Sequence, residues 1–208
     1  MAALHGRPVP SDPGRLVWMM EPTDRALVVG SSQPDEVVEA RALDAAGVAV
    51  TRRRSGGGAV LVDATALVWV DVVIGGGDPL WDDDVGRASW WVGDAWVEAL
   101  ATLGHEAHTH RGRLARDRWS DLVCFGSLAP GEVTIGGRKV VGVAQRRTPT
   151  SARYQCAALL RWRPDDTLAL LALTDRERAL AREELAPRAA GLGEAGEALR
   201  SAFVAALP

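Results

Sequence analysis

Lys139 is the only lysine among the 24 lysine and arginine residues of this 208-residue chain. It stands in GGRKVVGVAQRR, residues 136–147, one residue after a Gly-Gly pair and at the head of an apolar run. A coding preference for arginine explains the other basic residues but not a retained lysine. Arginine cannot supply a compact ammonium with three rotatable donors, able to sit between two anionic groups. Such a charge is useful where negative charge accumulates in a reaction, as when a carboxylate attacks a phosphate. An ordinary exposed lysine at a strand start is the plainer reading, and the composition weighs against it.

A second stretch, RRRSGGGAV, spans residues 52–60. Three consecutive glycines let a backbone or a ligand approach closely, because no Cβ stands in the way. The arginines beside them are fixed planar donors suited to carboxylate or phosphate. A plain turn accounts for many glycine loops, and this one is no P-loop, since no Gly-Lys-Ser/Thr follows. Of the two cysteines, Cys124 lies in DLVCFGSLAPGEV shortly before the lysine segment. It is either a small buried apolar group or a thiol activated by nearby cations. Cys156, mid-strand in RYQCAALL, is read as structural. Two cysteines are too few for a disulfide framework and have no metal-ligand spacing. His105, His108 and His110 are read as a solvated segment, with no metal site expected. The acids of WDDD are expected to cap the next helix through Asp83 or Asp84.

Charge is unevenly spread. Residues 111–163 carry 11 basic residues against Asp117, Asp121 and Glu132, on a chain whose net charge is −3. This strip is either a solvated face or a surface for an anionic partner. A nucleic acid is not expected, because the strip has few aromatics and no familiar motif and the total charge is negative. No signal-peptide core opens the chain. Asp63 and Asp71 break the longest apolar stretch, so no membrane span is expected. The protein is expected to be cytoplasmic.

The elements that must position these residues can be read from periodicity. Strands are expected over Leu16–Met20, Ala26–Val29, Val48–Thr51, residues 59–62 and residues 67–74. A helix is expected from Asp35 to Ala46, with Gly47 as its stop. A second helix is expected from about Val85 to Leu103, with Gly104 closing it. Its Trp90, Trp91 and Trp96 are read mostly as core, although one or two of the chain's tryptophans could line a pocket. Val133 and Ile135 open a hairpin over a Gly-Gly turn, and Lys139 begins its return strand. Alternation places Lys139, Val141 and Val143 on one face, with Val140, Gly142 and Ala144 on the other. A strand follows over Ala152–Trp162, then helices to the end. The whole is expected to be one α+β domain, residues 1–208, with a mixed, mostly antiparallel sheet flanked by helices.

RRRSGGGAV and GGRKVVGVAQRR together resemble the paired motifs of the catalytic domain shared by lipoate–protein ligases, octanoyl transferases and biotin protein ligases. ALVVGSSQ, residues 26–33, is similar to the family's hydrophobic-Gly-x-x-Gln segment. The resemblance covers about residues 16–163, leaving 164–208 as C-terminal helices, and it fits the lipoate branch better than the biotin branch. It implies that Arg53 is the loop arginine and that Ser55, Gly56, Gly57 and Gly58 line an acyl and adenylate pocket. It further implies that Lys139 is the catalytic lysine, that Gly142 and Ala144 flank the acyl chain, and that Asp121 lies near nucleotide and magnesium. In WSDLV, Ser120 replaces the Asn of the ligases' Asn-Asp pair.

Two activities follow from the resemblance. The first is ATP- and Mg2+-dependent activation of lipoate or octanoate as acyl-AMP, with transfer to a lysine of an acidic lipoyl domain. The second is ATP-independent octanoyl transfer from acyl carrier protein through Cys124. A non-catalytic acyl- or nucleotide-binding relative is a third reading, against which the intact Lys139 argues. The family's aromatic, His and Asp after the glycine loop are here Leu61, Val62 and Asp63, and its later His-His-Gly is replaced by YQCAALL. The chain leaves little room for the C-terminal domain of some ligases, so a separate accessory subunit is one expectation.

Overall fold

The structure, a computed structural model, describes residues 6–10, 13–193 and 196–208. Six strands form an antiparallel sheet in the order β1 (Arg15–Met20), β5 (Leu67–Gly75), β9 (Ser151–Leu159), β8 (Arg138–Arg147), β7 (Val133–Ile135) and β6 (His108–Thr109). A second sheet sets β2 (Ala26–Val29) between β3 (Ala49–Arg52), parallel to it, and β4 (Val60–Val62), antiparallel. The helices are α1 (Ala40–Ala46), α2 (Trp90–Thr102), α3 (Pro164–Leu168), α4 (Asp175–Leu185) and α5 (Gly196–Ala205). The α+β class and the mostly antiparallel sheet match the expectation. Among the described residues no helix is long and apolar enough to cross a membrane.

Strand β5 shows how the layers arise. Apart from Asp71 it is apolar because both its faces are covered. Val68, Val70, Val72 and Ile74 join the core under α2 and α5, where Trp96 stacks on Phe203 with ring centroids 4.0 Å apart. Leu67, Trp69 and Val73 point the other way, onto Val28 and Val62 of the small sheet. Helices α3 and α4 close the far side of that small sheet. The space between the two sheets holds the candidate site.

Several boundaries differ from expectation. The expected 35–46 helix breaks into a 3-10 turn, Asp35–Val37, and α1. Between them, Val38 pairs with Leu171 and Glu39 N–H donates to Leu170 O, so strand-like pairing replaces two helical residues. Helix α2 starts only at Trp90. Asp84 is not its cap: its carboxylate accepts from Gly86 N–H inside a preceding turn, and Asp83 accepts from Trp81 Nε1. Ser89 is the N-cap residue, with its hydroxyl donated to Pro130 O. Strand β9 ends at Leu159, where the N–H groups of Leu160 and Arg161 turn to Ala66 O.

The pairing of β7 with β8 shifts between Val133 and Thr134: Thr134 faces Lys139 and Val133 faces Val141. Val140 is therefore an extra, bulged residue, and such a bulge reverses the alternation beyond it. This corrects the predicted faces. Lys139 shares a side with Gly142, whose Cβ, if present, would lie 3.3 Å from Lys139 Cε.

Candidate active site

The glycine loop owes its shape to Arg53, which is buried. Its guanidinium donates to Gly56 O at 2.7 Å, Gly58 O at 2.8 Å and Val28 O at 3.3 Å, binding the loop to β2. Among the described residues no carboxylate pairs with it, so its charge faces carbonyls and the cavity. Arg52 is also structural: it donates to Gly30 O and Gln33 O and pairs with Asp35. Gly57 has φ +96°, a conformation glycine adopts without strain. Gly30 is required by contact: a Cβ there would lie 1.9 Å from Gly57 O. Gln33 completes the frame. Its amide oxygen accepts from Gly30 N–H, and its Nε2 donates to the carbonyls of Asp121 and Leu122.

This frame walls a cavity of about 290 Å³ between the two sheets. That volume is on the scale of small-molecule sites. Val28, Val60, Val62, Leu67, Trp69 and Ala157 make it largely apolar. Ser55, Gly56 and Gly57 line one side, while Gly142 and Ala144 line its floor. Ser55 Oγ is buried and has no hydrogen-bond partner. Gly58 lies just outside, packed so closely on Leu122 and Val123 that a Cβ would sit 2.5 Å from Val123 N.

Cys124 and Phe125 contribute the wall nearest Lys139. Lys139 is almost wholly buried. Its Nζ donates to Cys124 O at 3.0 Å and Ser127 O at 3.2 Å, which are the two ends of the 3-10 turn Cys124–Gly126. Its third partner is Glu132, with Oε1 at 2.8 Å. The ammonium also lies 4.8 Å from the Phe125 ring centroid. Three acceptors converging on one small cation explain why arginine does not stand here: a flat, wider fork cannot meet them from the same point.

The acid beside Lys139 is therefore Glu132, which residue-by-residue reading missed. Its other contacts fix it in place: Oε1 also accepts from Val143 N–H and Oε2 from Ala129 N–H. Asp121 does not line the cavity; its carboxylate is exposed and pairs with Arg116 at 3.3 Å. Ser120 is buried and accepts from Asp117 N–H. A signal for Glu132 was available: it is the only acid between Asp121 and Lys139, one residue before the hairpin.

Cys156 faces the opposite side, toward Trp96 and α2, and burial pushes its thiol pKa up to about 12. A thiol held protonated this far above neutrality is not a nucleophile. Farther along the same sheet face Arg153 pairs with Asp71, which also accepts from Trp69 Nε1 at 2.6 Å. Burial raises the Asp71 pKa despite that arginine. His108 is exposed on β6, and the His110 ring bonds to Arg113 O. Much of the basic strip is matched locally, with Arg111 on Asp94 and Arg118 on Glu184.

The family model for the lipoyl protein ligase A/B catalytic domain matches residues 6–194. The octanoyltransferase LipM of Kyrpidia tusciae is 30% identical over 185 residues, covering 82% of this chain and 67% of that protein. The octanoyltransferase LipM of Clostridioides difficile is 37% identical over 99 residues, or 47% of this chain and 35% of that one. The chain thus spans between about a third and two thirds of the length of these relatives. Among solved structures, the bipartite lipoate protein ligase of Thermoplasma acidophilum superposes with a TM-score of 0.72 at 20% identity, covering 92% of this chain and 68% of that one. A lipoate-protein ligase A bound with ATP gives 0.66 at 21% identity, covering 92% and 70%. At these identities the two structures establish the fold. The match over nearly the whole chain, the two paired motifs folded against one cavity and the octanoyltransferase relatives agree: the chain belongs to the lipoyl protein ligase A/B catalytic domain family, a family of enzymes.

Proposed function

We propose that this protein transfers an octanoyl group from a thioester donor to a lysine of a lipoyl domain, with Cys124 as the nucleophile. One observation carries this reading: Cys124 forms part of the wall of an apolar cavity, and the buried Lys139 holds its turn at both ends. In the first step the Cys124 thiolate attacks the octanoyl carbonyl of the donor. A new S–C bond forms, the donor S–C bond breaks, and the donor thiol leaves with a proton. In the second step the neutral amine of the acceptor lysine attacks octanoyl-Cys124. An amide forms, the S–C bond to Cys124 breaks, and the amine's proton passes to the departing sulfur, so that Cys124 returns as the thiol. The Arg53 charge, unmatched by any carboxylate among the described residues, favours the carbonyl oxygen as it becomes negative, while Lys139, its donors engaged by Cys124 O, Ser127 O and Glu132, fixes the turn that carries Cys124. The apolar walls around Val28, Val62 and Trp69 take the acyl chain and keep water from the thioester.

The acyl-AMP route with ATP and Mg2+ has less support. Magnesium takes oxygen ligands in near-octahedral array. Glu132 has both oxygens engaged by Lys139 and backbone N–H groups, and Asp121 lies outside the cavity on Arg116. This donor set does not fit a magnesium nucleotide. The test is intact-protein mass spectrometry with octanoyl-acyl carrier protein and no ATP. Wild type is expected to gain one octanoyl group, and Cys124→Ser none. Full transfer by Cys124→Ser, or transfer only with octanoate, ATP and magnesium, overturns the transferase.

A further inference from the structure

The cavity floor continues into a second cleft. Strands β8 and β9 pair Gly142 with Ala157, Ala144 with Gln155 and Arg146 with Arg153. Successive pairs in this series lie on one face of the sheet. The first two belong to the cavity and the third to a separate cleft of about 280 Å³. That cleft is lined by Arg7, Arg54, Arg146 and Arg153, with Thr150 and Ser151, and no carboxylate lines it among the described residues. Arg153 is held by Asp71. Arg54 and Arg146 are exposed, and their guanidiniums make no hydrogen bond or ion pair among the described residues. Their neighbours differ: Arg52 and Arg53 hold backbone carbonyls, and Arg147 lies over Trp81 with a hydrogen bond to Asp82 O.

We propose that this arginine cleft binds the phosphate of a phosphopantetheinyl thioester donor, so that the arm runs along the β8–β9 floor and delivers its thioester to Cys124. The proposal rests on the transferase reading. From Gly142 to Arg146 the strand advances four residues, or about 13 Å. A phosphopantetheinyl arm separates thiol from phosphate by a chain comparable in reach to four or five extended residues. One end of the path is apolar and holds the thiol; the other offers guanidiniums suited to bidentate phosphate recognition. A carrier protein and coenzyme A present the same phosphate chemistry, and the donors below distinguish them.

The test compares wild type with Arg54→Ala/Arg146→Ala. Acylation of Cys124 is followed by intact mass with octanoyl-acyl carrier protein, octanoyl-coenzyme A and octanoyl-pantetheine, which lacks the phosphate. The double variant is expected to lose about tenfold or more in kcat/KM with both phosphorylated donors, as for a lost charge-assisted contact, and to retain the pantetheine rate. Equal loss with all three donors overturns the proposal in favour of a role in shaping the cavity. Loss with the carrier protein alone overturns it in favour of contact with the carrier's surface. Calorimetry with 4′-phosphopantetheine against pantetheine reads the cleft independently of catalysis. Wild type should prefer the phosphorylated compound and the double variant should not; equal binding by wild type overturns the proposal. If no donor acylates Cys124 but the phosphate preference persists, the transferase reading fails while the anion site stands.

Discussion

Lys139 and Glu132 form an ion pair at 2.8 Å with side chains only 2% and 5% exposed. Breaking such a pair from one side leaves the other charge buried and unmatched, at about 3–5 kcal/mol. Lys139→Met and Glu132→Gln are each expected to lower the free energy of unfolding substantially. The double variant should cost less than their sum, because it strands no charge. Urea unfolding of the four proteins checks this. Additive losses would mean the pair contributes no coupling.

The chemical consequence is separate from the stability one. Lys139→Arg keeps the charge but replaces a point donor by a flat fork that cannot meet Cys124 O, Ser127 O and Glu132 together. Octanoyl transfer is expected to fall by about 100-fold, an effect of displacing the turn that carries Cys124. Single-turnover acylation measures it, and a rate near wild type would remove Lys139 from the mechanism.

The pairing of the two motifs was legible because each has a local signature: consecutive glycines, and a lysine after a Gly-Gly turn. Which acid meets the lysine was not legible. Asp121 stands near the glycine loop only through its carbonyl, which Gln33 holds, and its carboxylate points to solvent. Glu132 reaches Lys139 because the hairpin brings their strands together. The bulge at Val140 was equally hidden, since periodicity assumes an unbroken register. The arginine triplet looked uniform in sequence. Tertiary carbonyls divide it into two structural residues and one facing the cleft.

The two thiols should separate cleanly by alkylation. Cys156 has a pKa pushed to about 12 by burial. Iodoacetamide at pH 8 is expected to modify Cys124, which is partly exposed, and to spare Cys156 until the protein unfolds. For stability the sign is fixed by the raised value. The contribution is complete below the ordinary thiol pKa of about 8.5. It is lost as pH rises from there through about 12, because the unfolded chain releases the proton first. Peptide mapping after alkylation checks the first point; rapid labelling of Cys156 in the native protein would show that its core opens readily.

Gly30 offers the sharpest test of the loop, because its contact is with backbone. A methyl group at Gly30 would sit 1.9 Å from Gly57 O and 3.0 Å from Gly57 C. No rotamer change relieves an overlap with a carbonyl, so the glycine loop must move. Arg53 grips that loop through Gly56 O and Gly58 O, and its displacement carries the arginine with it. Ser55 and Gly57, on the cavity wall, shift too. Arg25→Ala is the control: its pair with Asp63 is half exposed, and such pairs are worth at most about 1 kcal/mol. Gly30→Ala is expected to reduce acylation of Cys124 by at least about tenfold, an effect of misplaced wall residues, while far-ultraviolet circular dichroism stays near wild type. Arg25→Ala should leave the rate unchanged. Equal rates in Gly30→Ala and wild type would show that the loop tolerates displacement and does not shape the acyl site.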